Sequence, residues 1–181
     1  MTTTARTATA ATLTASAHTI MDSPIGLLTL VTREGGLAGL YMTEHRHIPP
    51  QDTFGPRVAA TDVPVLARTA EQLSAYFAGE VADFDIDLST SGTPFQHRVW
   101  AALRDIPYGA TVSYGELAAV LGQPTASRAV GLANGKNPIS IIVPCHRVVG
   151  ANGSMTGYGG GIERKRWLLS FENGAQQPVL S

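Results

Sequence analysis

The sequence predicts a two-part α/β fold. Strands and one helix come first, and a mostly helical C-terminal part with a helix-turn-helix follows. Three observations carry this. Two β-prone apolar runs, 25–31 and 37–42, flank the turn signal Arg33-Glu34-Gly35-Gly36 and read as a β-hairpin. A small-polar stretch, Ser89-Thr90-Ser91-Gly92, reads as a linker. Beyond it, two capping-box signatures open helices, and a short helix, a Gly-containing turn and another short helix succeed one another. The expected divisions are a disordered N-terminal extension (1–19), an N-terminal domain (20–91) and a C-terminal domain (92–181).

Residues 1–19 are mostly Thr and Ala with no acidic residue. They lack the compact apolar core of a secretory signal, and such a tail has little to bury. Residues 43–62 read as a polar, Pro-containing surface loop. His45 and His47 lie in it without a further ligand nearby, so loop histidines are expected rather than a metal pair. Residues 64–77 look helical, with Leu66, Ala70, Leu73 and Phe77 on one face and Gly79 as the stop. Residues 83–88 alternate Asp83, Asp85 and Asp87 with Phe84, Ile86 and Leu88, the pattern of a half-buried strand. Three carboxylates on one strand face could suggest a metal-dependent nuclease, but a solvated face is the plainer reading.

Thr93-Pro94-Phe95-Gln96 caps the next helix, whose stripe is Phe95, Val99, Ala102, Leu103 and Ile106; Pro107 and Gly109 end it. Ser113-Tyr114-Gly115-Glu116 opens a short helix closed by Gly122. The following helix runs from Thr125 or Ala126 to about Asn134. Ala126, Ser127, Ala129, Gly131 and Ala133 are small, and Arg128 lies near its start. Small side chains let a helix approach another surface closely, and its N-terminus with one arginine can meet phosphates. Packing against a protein neighbour would use the same composition. Asn134 to Pro138 carries two turn signals, residues 139–143 are β-prone, and a glycine-rich stretch spans 150–161. The last helix, 163 to about 172, is expected to bury Trp167, Leu168 and Phe171, and the final residues to fray.

Hydrophobic content of 44% and charged content of 15% describe a globular chain. No apolar stretch approaches the roughly 20 residues of a membrane helix. Residues 1–91 carry five Arg against ten Asp and Glu; residues 92–181 carry eight Lys and Arg against four Asp and Glu. The basic half is an allowed footprint for a polyanion, and equally a solvated surface. Cys145 is the only cysteine, which excludes an internal disulfide framework and fits a reducing, cytosolic compartment. It follows Pro144 and precedes His146 and Arg147. Neighbouring positive charge favours the thiolate, the form that acts as a nucleophile. A small core cysteine is the bland alternative.

Pro144-Cys145-His146-Arg147-Val148-Val149, with Arg128-Ala129-Val130-Gly131, Asn137-Pro138, Tyr158-Gly159-Gly160 and Glu172, closely resembles the O6-alkylguanine-DNA alkyltransferases over about 21–172. The resemblance implies a ribonuclease-H-like N-terminal domain, under which the strand aspartates are no nuclease site. It also implies minor-groove binding of double-stranded DNA by the helix-turn-helix, flipping of an O6-alkylguanine (or O4-alkylthymine), and transfer of the alkyl group to Cys145. Each molecule would act once, without cofactor or metal.

By the same resemblance His146 draws the Cys145 proton through a water, and Glu172 holds His146. Tyr114 donates near the base's ring edge, and the backbone NH of Gly159 binds the guanine oxygen. Many relatives have serine at 159; a side-chain donor is absent here. The carbonyls of Cys145 and Val148 would receive the exocyclic amine, Tyr158 and Gly160 would line the pocket, and Lys165 would lie near it. Arg128 would fill the gap left by the flipped base, with Ala126, Ser127, Ala129 and Gly131 in the groove. Asn137 would brace the turn before Cys145. Ser140 stands where some relatives have proline, leaving acceptance of bulky groups open. With a single cysteine, the zinc site of some relatives is not expected. The chain is expected to be a monomer away from membranes, with cooperative binding on DNA left open. A non-catalytic alkylated-DNA sensor, an adaptive-response regulator or a cysteine hydrolase are the alternatives. The acceptor cysteine argues against the first, and the missing cysteine-rich metal domain against the second. Repeated turnover would mark the hydrolase.

Overall fold

Two β-prone runs joined by two residues that accept positive φ must pair antiparallel, and they do. In the computed structural model, which describes residues 15–180, β1 (Ala17–Met21), β2 (Leu28–Arg33) and β3 (Gly36–Met42) form an antiparallel sheet in that order. Glu34 (φ 52°) and Gly35 (φ 80°) make the β2–β3 turn, the twist that suits a tight hairpin. β1 corrects the expected extension through residue 19. Ala17 pairs with Thr32, and Ala17, His18 and Thr19 are buried. Composition missed it because a strand is stabilised by its neighbour rather than by its own residues. The rest of that extension, 1–14, lies outside the described residues.

The loop at 43–62 contains two 3-10 turns, Gln51–Phe54 and Ala60–Asp62. It is less superficial than expected. Phe54 stacks on Tyr41 at 5.5 Å, and His45 is buried, its Nδ1 accepting from the Met42 NH at 3.2 Å. Helix α1 (Pro64–Phe77) starts on Pro64 and stops before Gly79 (φ 77°). Its buried face is Leu66, Thr69, Leu73 and Tyr76; Ala70 and Phe77 are only half-buried.

The expected strand at 83–88 is corrected to an extended segment. Its alternation holds, with the three aspartates exposed and Ile86 buried, but only Leu88 bridges to Leu37. The Gln72 side chain takes both backbone groups of Asp85, and Arg68 pairs with its carboxylate, so no ladder forms there.

The C-terminal half holds α2 (Pro94–Arg104), β4 (Val112–Ser113), α3 (Tyr114–Val120), α4 (Ser127–Gly135), β5 (Val148–Val149) and α5 (Ile162–Glu172). Both capping boxes form: Thr93 with Gln96, and Ser113 with Glu116. Trp100 of α2 donates from Nε1 to the Ala133 carbonyl at 2.9 Å and pins α4. β4 and β5 pair in parallel. In α5, Trp167 and Leu168 are buried but Phe171 only half-buried. Within the described residues no helix is long and apolar enough to cross a membrane.

One apolar cluster crosses both halves. It joins Leu30, Leu40 and Leu73 to Leu103, Ile139 and Leu168. The Leu40 NH also donates to the Pro138 carbonyl at 2.9 Å. The N-terminal sheet is therefore a wall against which the segment leading to Cys145 is laid.

Thr93→Ala and Ser113→Ala should each lower unfolding free energy by about 1 kcal/mol, the usual worth of such a cap. Leu73→Ala should cost about 2–5 kcal/mol, since it empties core volume. Urea denaturation of the three variants measures the order.

Candidate active site

A polar side chain that bonds its own following turn can override β propensity, and Asn137 does so. Its Nδ2 donates to the Val143 carbonyl at 2.7 Å, and its Oδ1 accepts from the Ile139 NH at 3.0 Å. Residues 139–143, expected to be a strand, are therefore a compact turn with one bridge, Ile139 to Leu40. Ile141 sits inside it at φ 72°, a costly conformation for a β-branched residue, of order 1–3 kcal/mol. The turn delivers Cys145 onto a 3-10 turn, Cys145–Arg147, which runs into β5.

Helix α4 touches this segment. Asn134 Nδ2 lies 3.4 Å from the Cys145 carbonyl, and its Oδ1 is buried without a partner among the described residues. Sequence reading placed Asn134 only at a helix end. Ser127, Arg128 and Ala129 are exposed in the first turn of α4, and Ala126 is half-buried at its start. Gly131 instead faces protein: a Cβ there would sit 3.7 Å from the Tyr114 ring. That is ordinary contact distance, so an alanine would also fit there.

Cys145 is 5% exposed. Burial pushes its thiol pKa up, opposed by Asn137, Ser140 and the Lys165 charge. The expectation that adjacent His146 and Arg147 favour the thiolate is thus corrected. Burial outweighs charge, and Arg147 turns away from the sulfur. Its Nε and Nη2 donate to the two Glu172 oxygens, each at 2.9 Å, and its Nη1 donates to the Ile106 carbonyl at 2.6 Å.

Glu172 is the hub of the site. Oε1 also accepts from Tyr76 Oη and from His146 Nε2, both at 2.8 Å. Burial raises its pKa, but the hydrogen bonds from His146 and Arg147 and the Arg147 charge prevail and bring it to about 2. Glu172 is therefore a carboxylate and can only accept. His146 Nε2 must then carry the proton, which leaves the Nδ1 lone pair free. That Nδ1 is buried and has no partner among the described residues. His146 is fully buried, and burial lowers its pKa against the pull of Glu172, so the ring is neutral. Tyr76 was missed because it arrives from the other half of the chain, and nothing local in sequence links it to Glu172.

Of the remaining expected residues, Tyr114, Tyr158 and Lys165 lie near the sulfur. Tyr114 opens α3 and donates weakly to the Thr156 carbonyl at 3.4 Å. Burial raises the pKa of Tyr114 and, further, of Tyr158, and the nearby Cys145 adds to both. The Tyr158 hydroxyl has no partner among the described residues. Lys165 is fully buried; its Nζ donates to the carbonyls of Val148 at 2.6 Å and Thr156 at 2.8 Å. Burial lowers its pKa, against Cys145. The Val148 and Cys145 carbonyls, expected to face the ligand, thus each hold a protein donor already. Gly159 and Gly160 pack on the 42–46 turn: the Arg46 NH donates to the Gly159 carbonyl at 2.7 Å. A Cβ at 159 would meet His45, and one at 160 would meet Met42.

Known proteins share this frame. Residues 17–90 match the ribonuclease-like domain, and residues 94–174 the DNA binding domain, of 6-O-methylguanine DNA methyltransferase. The chain belongs to this family. A methylated-DNA–protein-cysteine methyltransferase of Mycolicibacterium paratuberculosis is 55% identical over 154 residues, covering 84% of this chain and 89% of the relative. A Methanosarcina acetivorans protein of the same name is 47% identical over 156 residues, covering 86% and 97%. The crystal structure of Mycobacterium tuberculosis OGT in complex with DNA superposes with a TM-score of 0.78 at 50% identity, covering 87% of this chain and 93% of that one.

The Glu172 hub sets a pH response. Its folded pKa is about 2 against an ordinary 4.5. A depressed carboxyl stabilises the fold above its unfolded pKa and loses that stabilisation as pH falls through the folded one. Stability should therefore decline between about pH 4.5 and 2, and Glu172→Gln should be less stable at neutral pH with a flatter decline. Denaturation midpoints measured across that range test it; equal slopes for both proteins would contradict it.

Proposed function

We propose that this protein repairs alkylated DNA by moving the alkyl group of O6-alkylguanine, and of O4-alkylthymine, onto Cys145. The observation that carries the reading is the buried His146–Glu172 pair directly after Cys145 in the chain, with a free imidazole lone pair and a bound carboxylate. Its relatives are named methylated-DNA–protein-cysteine methyltransferases, and one structural neighbour holds DNA.

A neutral thiol at rest suits a single-use reagent, because it is protected until substrate arrives. With the damaged base in place, the Cys145 proton passes through a water to His146 Nδ1, and Glu172 stabilises the resulting imidazolium. The thiolate sulfur then attacks the alkyl carbon in line. A carbon–sulfur bond forms and the carbon–oxygen bond breaks, leaving the electron pair on guanine. The Gly159 NH and the Tyr114 hydroxyl bind the base as that charge develops. Guanine takes up a proton and returns to its ordinary form, while Cys145 remains a thioether. The thioether has no good leaving group, so the protein is spent after one transfer. No cofactor or metal takes part.

Binding of double-stranded DNA falls to α3 and α4, with the first turn of α4, Ser127, Arg128 and Ala129, in the minor groove, Ala126 leading into it, and Gly131 behind it against Tyr114. Extruding the base costs a few kcal/mol, less for a damaged pair. Arg128 fills the vacated stack. Tyr158 and Gly160 close the pocket, and the weak Tyr114–Thr156 hydrogen bond is the one most easily exchanged for the base. Lys165 holds the Val148 carbonyl beside it, and Asn137 keeps the sulfur at a fixed height. The protein acts as a monomer.

Incubation with a duplex holding one O6-methylguanine should place one methyl, and no more, on the Cys145 peptide by mass spectrometry. Cys145→Ser should bind DNA and accept none. Methyl release with recovery of activity would overturn the single-use reading. Arg128→Ala should slow transfer from duplex DNA about tenfold or more while leaving transfer from the free base intact, since only the duplex requires a filled gap. Equal losses on both substrates would remove the wedge role.

A further inference from the structure

The N-terminal half carries ten acidic residues and only five arginines, yet two of those arginines border one cavity that no carboxylate lines. The cavity, of about 230 Å³, lies at the seam of the two halves. Arg33 comes from the end of β2, Arg46 and His47 from the loop after β3, and Lys136 from the end of α4. Tyr41 and Phe54, stacked at 5.5 Å, are also in its wall, with Ser89 and Ser91 from the linker. Glu34, Glu44 and Asp52 are neighbours in sequence but do not line it. None of Arg33, Arg46 and Lys136 forms an ion pair among the described residues, although Arg68 and Arg147 do. Arg46 and Lys136 are exposed and Arg33 is half-buried.

Three cations around one concavity, with no counter-charge, repel each other unless an anion is present. The position of Lys136 says which anion. Arg128, Leu132 and Lys136 recur at helical spacing along α4, and all three are exposed. The rim of the cavity therefore continues the same α4 stripe whose N-terminal end lies on DNA in the proposed repair reaction. A nucleic-acid backbone following that stripe from Arg128 passes Lys136 and comes to the mouth of the cavity.

We propose that this cavity is a second phosphate site, which holds the DNA backbone at the far end of α4 and extends the interface onto the N-terminal half. It rests on the reading of α4 as the DNA-docking helix. Arg33 and Arg46 supply planar donor forks for phosphate oxygens, and Lys136 supplies a point charge. His45 contributes no charge near neutral pH: burial, then Arg164 and His47, bring its pKa to about 4. The site carries no base information. It adds affinity, and it ties the two halves to one ligand.

The test is the double variant Arg33→Gln/Lys136→Gln in the full chain. Binding is measured against salt on a long duplex and on a short one that ends within α4's reach. On the long duplex, the plot of log affinity against log salt should become shallower by about 2, roughly 0.9 for each phosphate no longer neutralised. On the short duplex the variant and the parent should agree, and transfer from the free alkylated base should be unchanged. An unaltered slope on the long duplex overturns the proposal. If the same variant then also loses a rise in Tm induced by inorganic phosphate, the cavity serves a free phosphate compound instead. Arg128→Ala separates the two readings. If it too leaves duplex binding and transfer intact, the docking role of α4 has failed rather than the cavity.

Discussion

A buried carboxylate with its donors joins the two halves of this protein beside its single cysteine. Glu172 receives Tyr76 from the N-terminal half, and His146 and Arg147 from the residues that follow Cys145. A charge held out of water is tolerable only when it is paired and fully bonded, and removing one partner of such a set costs far more than the set contributes. The arrangement is therefore all-or-none. It fixes the imidazole tautomer and ties the last helix to the turn that carries Cys145.

The same burial governs the sulfur. A solvent-exposed thiolate next to Arg147 would be the more reactive resting state, but it would also be open to every stray electrophile. Here desolvation keeps the proton on Cys145, and the arginine next door, whose charge would otherwise favour its loss, is committed to Glu172.

Much of this was legible in the chain. Local signals were faithful wherever the stabilising partner was itself local: the Glu34-Gly35 turn, Pro64 and Gly79 around α1, and both capping boxes. They failed where the partner was distant. Residues 17–19 became strand through Thr32 and Val31. Residues 83–88 lost their ladder to Gln72. Residues 139–143 were folded into a turn by Asn137. At the site, the motif residues from Asn137 to Val148 were evident because they are contiguous. Tyr76 was not, since its role depends on a helix packing across the core, and Asn134 was hidden in a helix end. The role of Arg147 was misread because sequence shows adjacency and not direction.

Asn134 and Asn137 tie the span 128–145 together, from the exposed arginine to the turn that carries Cys145. In the proposed repair reaction the groups that meet duplex and base thus belong to a single length of chain, and an insertion within it would shift one against the other.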